Sequence, residues 1–301
     1  MQMTESRFTG LLSLLSLFAF ISVSCSNPDF KEHDDPGIFA MDNLVAWCIV
    51  PFDAEERNPA ERAEMLDGLE FRKMAWDWRM EHIETLPDEI SALQNHDIEL
   101  TAVWLWLDRS SKDGLLPHHH MIFDAVAGKG VETTYWLSFS SDFFDGLTDD
   151  EKVEMAASKI IVVHDRIRKD GGKIALYNHM DWFGEPENQV RIIESIGRDS
   201  IGIVYNFHHA HHHIDDFPEK LDVMLPYLYT VNLNGMRRDG PKILDIGSGD
   251  EELRMIRYLR DSGFSGTIGI LGHTEGEDIE EVLTRNLRGL DRIVKELWLT
   301  R

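Results

Sequence analysis

Residues 203–217 read IVYNFHHAHHHIDDF: an apolar run that passes through Asn206 into five histidines within six residues. A short run of Ile, Val and Tyr with no alternation suits a strand covered on both faces, as in a parallel sheet flanked by helices. Polar groups crowded just past the C-terminal end of such a strand stand where parallel α/β folds collect their chemistry. Imidazole adds to that signal, because it is the commonest protein ligand for transition metals and its pKa lies closest to neutrality.

The same pattern recurs on either side. Strands are expected over Leu44–Val50, Arg72–Trp78, Glu99–Trp106, Glu132–Leu137, Lys173–Asn178, Ile201–Asn206, Leu228–Asn234 and Thr267–Leu271. Amphipathic segments fall between them. Pro59 suits the first turn of a helix running to Leu69, and Pro87 that of Leu86–His96. Leu116–Ala127 follows, then Thr148–Arg168, where Thr148 and Glu151 have capping-box spacing. Glu185–Ile196, Asp216–Leu225, Asp250–Ser262 and Asp278–Leu297 complete the series. Gly130, Gly171, Gly172 and Gly263 stand at helix-to-strand junctions, where a left-handed C-cap is expected. Eight strands alternating with eight helices predict a single-domain (β/α)8 barrel, a TIM barrel. A doubly wound open sheet is the alternative, weakened by the lack of G-x-G-x-x-G after the first strand.

The N-terminus is of another kind. Leu11–Val23 is an apolar stretch preceded by Arg7 and followed by Ser24, Cys25 and Ser26, which predicts a signal peptide over residues 1–25. The Cys25 context resembles a bacterial lipoprotein signal, so an exported, lipid-anchored protein is expected, with ordinary secretion or an uncleaved anchor as alternatives. Residues 26–42, broken by Pro28, Pro36 and Gly37, read as a tether, and residues 43–301 as the barrel. Beyond Cys25 only Cys48 remains, so the exported body has no intrachain disulfide, and Cys48 reads as a core residue. The net charge of −24 disfavours nucleic acid and anionic lipid as partners. Membrane contact is expected only through the lipid at Cys25.

In a barrel the strand ends share one mouth. They carry Trp47 and Phe52; Asp77, Trp78 and Arg79; Trp104 and Trp106; Trp136; Asn178, His179, Asp181 and Trp182; Asn206, His208 and His209; Asn232 and Asn234; and His273. Aromatic walls with amide, imidazole and carboxylate groups suit a polyhydroxylated ligand, whose rings have apolar faces and whose hydroxyls need donors and acceptors. A small-molecule sugar is the expected partner. Trp47, Arg79, Trp104, Trp136, Asn178, Trp182, Asn232 and Asn234 are the candidate binding residues, and Asp77, Glu185 and His179 the candidate catalytic ones. Plainer roles stand beside these. A buried Trp is more often core, and Asp77 has Arg72 and Arg79 near it in sequence as ion-pair partners. His118, His119 and His120 read as a solvated face, His212 and His213 as loop surface, and the acidic run Glu275–Glu281 as a helix N-terminus.

The segments MAWDWRMEHI (74–83), LYNHMDWFGEPENQ (176–189), IVYNFHHAHHHIDDFP (203–218), VNLNGM (231–236) and IGILGHTEGED (268–278) resemble the xylose isomerase-like barrels, the superfamily of sugar phosphate isomerases and epimerases and endonuclease IV, and most of all an exported bacterial branch of it. The resemblance runs from Leu44 to Leu297. It implies a sugar isomerase or epimerase, or a lyase on oxidised sugars, acting by proton removal next to a carbonyl. It also implies a divalent metal (Mn, Zn or Co) held by Glu, Asp, His and Glu on strands 5 to 8. Here those positions carry Tyr177, Asn206, Asn232 and Leu271 or Gly272, with the strand 6 histidine kept as His209 and His273 just beyond strand 8. His209, His273 and Asn206 are therefore the candidate metal residues. An exported location favours a free or keto sugar over a phosphorylated one. A non-catalytic carbohydrate-binding lipoprotein and a metal-dependent hydrolase are the competing functions. The endonuclease branch fits poorly, since DNA binding needs a basic face.

Overall fold

The computed structural model describes residues 36–179 and 181–299. Eight parallel strands close in sequence order into a barrel: β1 (Leu44–Trp47), β2 (Lys73–Trp76), β3 (Glu99–Leu107), β4 (Thr134–Phe139), β5 (Lys173–Tyr177), β6 (Ile201–Asn206), β7 (Leu228–Leu233) and β8 (Thr267–Leu271). Closure is made by β1 on β8, with Leu44 opposite Ile268 and Trp47 opposite Leu271. Between the strands lie α1 (Pro59–Gly68), α2 (Leu86–Asn95), α3 (Pro117–Gly128), α4 (Asp149–Ile167), α5 (Asp181–Gly184), α6 (Pro186–Ile196), α7 (Phe217–Met224), α8 (Glu252–Asp261) and α9 (Ile279–Leu299). The (β/α)8 expectation holds. The short α5 turn is an addition to it, standing before α6 in place of a plain loop.

Two register irregularities shape the mouth. One falls between Met74 and Ala75 in β2, the other between Ile203 and Val204 in β6. A bulge re-aims the residues that follow it, and these two precede Asp77 and His208. Most strand residues are buried, those of β6 completely, while β3 exposes Glu99 and Trp106 at its ends; hence the apolar runs in sequence.

The signal segment and most of the tether expectation fall on residues outside those described. The described part of the tether differs from the reading. Gly37–Phe39 and Met41–Asn43 are 3-10 turns, Phe39 is buried, and the Asn43 amide donates to the Ile38 and Gly266 carbonyls. The folded body thus begins before Asp42, because Phe39 has a place in the core. No helix among the described residues is long and apolar enough to cross a membrane.

Helix starts follow the expected capping chemistry. Thr148 accepts the Glu151 N–H at 3.4 Å, and the Glu151 carboxylate accepts the Thr148 N–H at 2.8 Å. Thr148→Ala is expected to cost about 1 kcal/mol, lowering the melting temperature by roughly 2–4 °C. A thermal melt at neutral pH that leaves the midpoint unchanged would show that α4 does not depend on this cap.

Candidate active site at the barrel mouth

The aromatic floor comes first. Trp47 from β1, Trp136 from β4 and Tyr177 from β5 meet across the barrel, with ring centroids 4.7 Å (Trp47–Trp136), 5.9 Å (Trp47–Tyr177) and 6.1 Å (Trp136–Tyr177) apart. Above it lies a narrow cavity of about 120 Å³, lined by Trp47, Cys48, Phe52, Asp77, Arg79, Trp104, Tyr177, His179, His208, His209 and His273. Arg79, Trp104 and His179 also line a wider cavity of about 490 Å³ walled by Trp78, Trp106 and His118. Most residues of the narrow cavity lie at or just past the C-terminal end of a strand, as the barrel requires, while Trp104 enters it from within β3.

Asp77 follows β2 and is buried. One carboxylate oxygen accepts the Val50 N–H at 3.3 Å; the other has no hydrogen-bond partner. Burial pushes this carboxyl up to about 6, against the opposing pull of the Val50 N–H and the Arg79 charge. The ion pair suggested by sequence does not form among the described residues. Arg72 bonds Asp67 at 2.6 Å, while Arg79 donates to the Trp78 carbonyl and lies over the Phe52 ring. Cys48 adopts φ +59°, which turns the chain sharply after β1 and places its thiol in the cavity beside Asp77.

Four imidazoles face Asp77 across this cavity. The His209 ring centroid lies 3.8 Å from that of His208 and 4.5 Å, edge-on, from that of His179, and its Nε2 lies 3.2 Å from the Tyr177 hydroxyl. His273 packs on Phe52 at 3.9 Å. Burial, and then the neighbouring imidazoles, lowers the basicity of His208 to about 3 and of His209 further. Burial likewise lowers His179 and His273. All four are neutral near pH 7.

The histidine run is divided by its own backbone. Phe207–His213 forms a 3-10 segment with a non-helical kink at Ala210 (φ −104°, ψ 25°). His208 and His209 before the kink enter the mouth. His211 bonds the Arg237 carbonyl at 2.6 Å, and His212 and His213 turn to Glu185. Glu185, expected to be catalytic, is therefore held outside the cavity at the start of α6. His213 is not loop surface but buried. The other triple also differs from its reading as a solvated face: His119 is fully buried, its Nδ1 accepting the Leu116 N–H at 2.9 Å, and His118 lines the wider cavity.

The amides have a separate geometry. Asn178 Oδ1 accepts from the Asn206 backbone N–H at 2.7 Å and from its side-chain amide at 2.8 Å, and Asn232 donates to Asn206 Oδ1 at 2.7 Å. This buried ladder ties β5, β6 and β7 together. Asn178 and Asn206 each both donate and accept, which a row of carboxylates cannot do, while Asn232 donates and its own Oδ1 has no partner. Neither Asn178, Asn206 nor Asn232 lines the cavity. Asn234 is likewise buried, donating to the Gly235 and Lys242 carbonyls. Trp182 packs outside the mouth on Phe144 and beneath Lys152. Trp136 lies in the barrel below Trp47, since it comes three residues before the end of β4.

The metal arrangement implied by the resemblance does not fit these residues. Its carboxylate positions hold Tyr177, Asn206 and Leu271 or Gly272, and Asn206 Oδ1 is already taken by Asn232. His209 and His273 line the narrow cavity together, while Asn206 does not line it. Among the described residues, the group of three or more ligating side chains with ligand atoms all within 4.8 Å is Glu185, His212 and His213.

Trp78, Trp106, His118 and Cys48 are among the cavity residues beyond the binding residues expected from sequence. The alternations Trp76-x-Trp78 and Trp104-x-Trp106 at the ends of β2 and β3 carry a signal for the two indole walls; nothing in sequence marks Cys48.

The chain is similar in fold to solved (β/α)8 barrels. It superimposes on the apo form of a 3-keto-D-glucoside 4-epimerase from E. coli with a TM-score of 0.65 at 14% identity, over 83% of this chain and 99% of that one. A protein named IolI with a bound zinc atom gives 0.64 at 15% identity, over 84% and 98%. A D-psicose 3-epimerase in the presence of D-fructose gives 0.63 at 14%, over 83% and 97%. At these identities the likeness establishes the fold. No protein-family model matches the sequence, and no curated protein matches it significantly.

Proposed function

We propose that this protein is a sugar isomerase or epimerase, or a lyase of keto sugars, which removes a proton next to a carbonyl at the barrel mouth. One observation carries this reading. Five buried polar atoms without partners belong to residues of the narrow cavity: Trp47 Nε1, Asp77 Oδ2, Trp104 Nε1, His179 Nδ1 and His208 Nδ1. Buried polar groups in native proteins are normally bonded, so a cavity ringed by indole N–H donors, imidazoles and a carboxylate calls for a ligand rich in hydroxyls. The sugar epimerases among the similar structures support the same class.

Each step has a residue to perform it. Asp77, with a pKa of about 6, is the base at the carbon. The Arg79 guanidinium and the neutral imidazole N–H groups of His179 and His209 stabilise charge developing on the carbonyl oxygen. The indole faces of Trp78, Trp104 and Trp106 hold the sugar ring. The protein supplies the base and the donors from its own side chains. The N-terminal segment supports an exported, lipid-anchored protein, hence a free or keto sugar.

The test is proton exchange. Protein incubated with 3-keto and 2-keto sugars in deuterated water is expected to wash deuterium into the carbon next to the carbonyl, followed by NMR. His209→Ala is expected to slow this by about 10²-fold or more. Binding of these sugars without any exchange would favour the carbohydrate-binding reading instead.

A further inference from the structure

Away from the mouth, a second cluster joins the loop before α6 to the segment before α7. Glu185 Oε1 lies 3.1 Å from His212 Nε2, and Glu185 Oε2 lies 2.9 Å from His213 Nε2. The two imidazole rings lie side by side with centroids 4.0 Å apart. His213 Nδ1 in turn lies 3.0 Å from Asp216. Lys220 bonds Glu187 at 2.8 Å and reaches Glu185 at 3.3 Å.

From this geometry we infer a transition-metal site, of the kind that takes zinc, with Glu185, His212 and His213 as ligands. His213 stands between two carboxylates, Glu185 and Asp216, yet a neutral imidazole has one N–H to donate. With Nδ1–H given to Asp216, the Nε2 atom faces the Glu185 carboxylate at 2.9 Å, a contact that a metal ion or a second ring proton would satisfy. A carboxylate on Nδ1 is also what orients a metal-binding histidine and fixes its tautomer.

Charge and distance point the same way. Glu185, Glu187 and Asp216 surround a single lysine, Lys220, so carboxylates outnumber fixed cations three to one in this cluster. Zinc bonds of 2.0–2.1 Å in a tetrahedron set ligand atoms about 3.3 Å apart. The two nitrogen-to-oxygen spacings of 2.9 and 3.1 Å need only a small opening to admit the ion. His213 is nearly buried and His212 is exposed, so the fourth position opens to solvent for a water. Two imidazoles and a carboxylate favour zinc or cobalt over magnesium or calcium, which prefer all-oxygen shells.

The ion would act as a clamp. His212 and His213 close the 3-10 segment whose first half delivers His208 and His209 to the mouth. Metal at Glu185 pins the far end of that segment to the start of α6. Binding there does not depend on the sugar chemistry, so the two are tested separately.

The test is titration of the chelator-treated full chain with Co2+ and Zn2+, followed by visible absorption for cobalt and calorimetry for zinc. The expected result is one equivalent bound, with the cobalt bands of a four- or five-coordinate site. His212→Ala changes an exposed side chain and leaves the fold intact; it is expected to weaken binding by at least about 100-fold. Glu185→Gln is expected to do the same, and Asp216→Asn to weaken it by about tenfold by freeing the His213 ring. His209→Ala is expected to leave the affinity unchanged. Unaltered binding in His212→Ala, loss of the ion in His209→Ala, or a His213 imidazolium pair with no affinity for either metal would each overturn the assignment.

Discussion

Asp77→Asn is expected to lower solvent exchange of substrate by about 10²- to 10⁴-fold, the usual worth of a positioned base, and at the same time to stabilise the protein at alkaline pH. Both effects come from the same burial. The carboxyl sits at about 6 in the fold because its charged form is taken out of water with one oxygen unpartnered. In the unfolded chain it titrates near 3.9. Between these values the folded state holds a proton that the unfolded state has released, so stability falls as pH rises from about 4 to 6. Above pH 6 the ionised group costs the fold about 3 kcal/mol, since each pH unit between the two values is worth about 1.4 kcal/mol. Asparagine keeps the acceptor for the Val50 N–H and carries no charge. The variant is therefore expected to melt roughly 5–10 °C above the parent at pH 8, and level with it near pH 4. Melting curves at the two pH values need no substrate. Equal midpoints at pH 8 would show that Asp77 is better solvated than its surroundings imply, and near-normal exchange in the variant would remove it from the chemistry.

What is legible in the sequence, and what is hidden, follows from the range over which each feature is determined. The eight strands are readable because a parallel strand covered on both faces must be a short continuous apolar run, and Ile201–Asn206 and Thr267–Leu271 appear with the bounds expected. The helix starts at Pro59 and Thr148 are readable because capping is decided within four residues. The mouth residues Trp47, Asp77, Arg79, Trp104, His179, His209 and His273 are reachable because strand ends converge in any such barrel. Partnership across strands is not reachable. Asn178, Asn206 and Asn232 look like ligand groups one at a time, yet the register of β5 to β7 places them against one another. Glu185 reads as a free carboxylate in its own segment; its partners His212 and His213 lie 27 and 28 positions away. The kink at Ala210, which divides one histidine run between two sites, has no sequence marker.

The buried imidazoles set the response to acid, and here the expected effect on stability is the largest. His208 lies against His273, His179 and the charge of Lys242, and burial above all holds it near 3. His119 is held near 3 by burial and then by His118 and His120, with Asp108 and Asp113 pulling the other way. Both titrate near 6.5 when the chain unfolds. Below that value the unfolded state binds protons that the folded state refuses, so stability is lost as pH falls from about 6.5 towards 3. At pH 4.5 the two together cost about 5 kcal/mol, while Asp77, gaining its proton, returns about 2 kcal/mol. His209 adds to the loss in the same direction. Against a typical total of about 5–15 kcal/mol, this is enough to drop the melting temperature by roughly 10 °C or more between pH 7 and 4.5. The melts are run with chelator present, so that protons do not compete with metal at Glu185. His119→Asn separates this cause from general acid denaturation: its side-chain oxygen can accept the Leu116 N–H as His119 Nδ1 does, but it cannot titrate. The variant is expected to flatten the dependence by up to one proton, about 1.4 kcal/mol per pH unit, between pH 6 and 4. A parent whose midpoint is flat over that range would mean that these imidazoles reach water, or one another's protons, in ways their burial forbids.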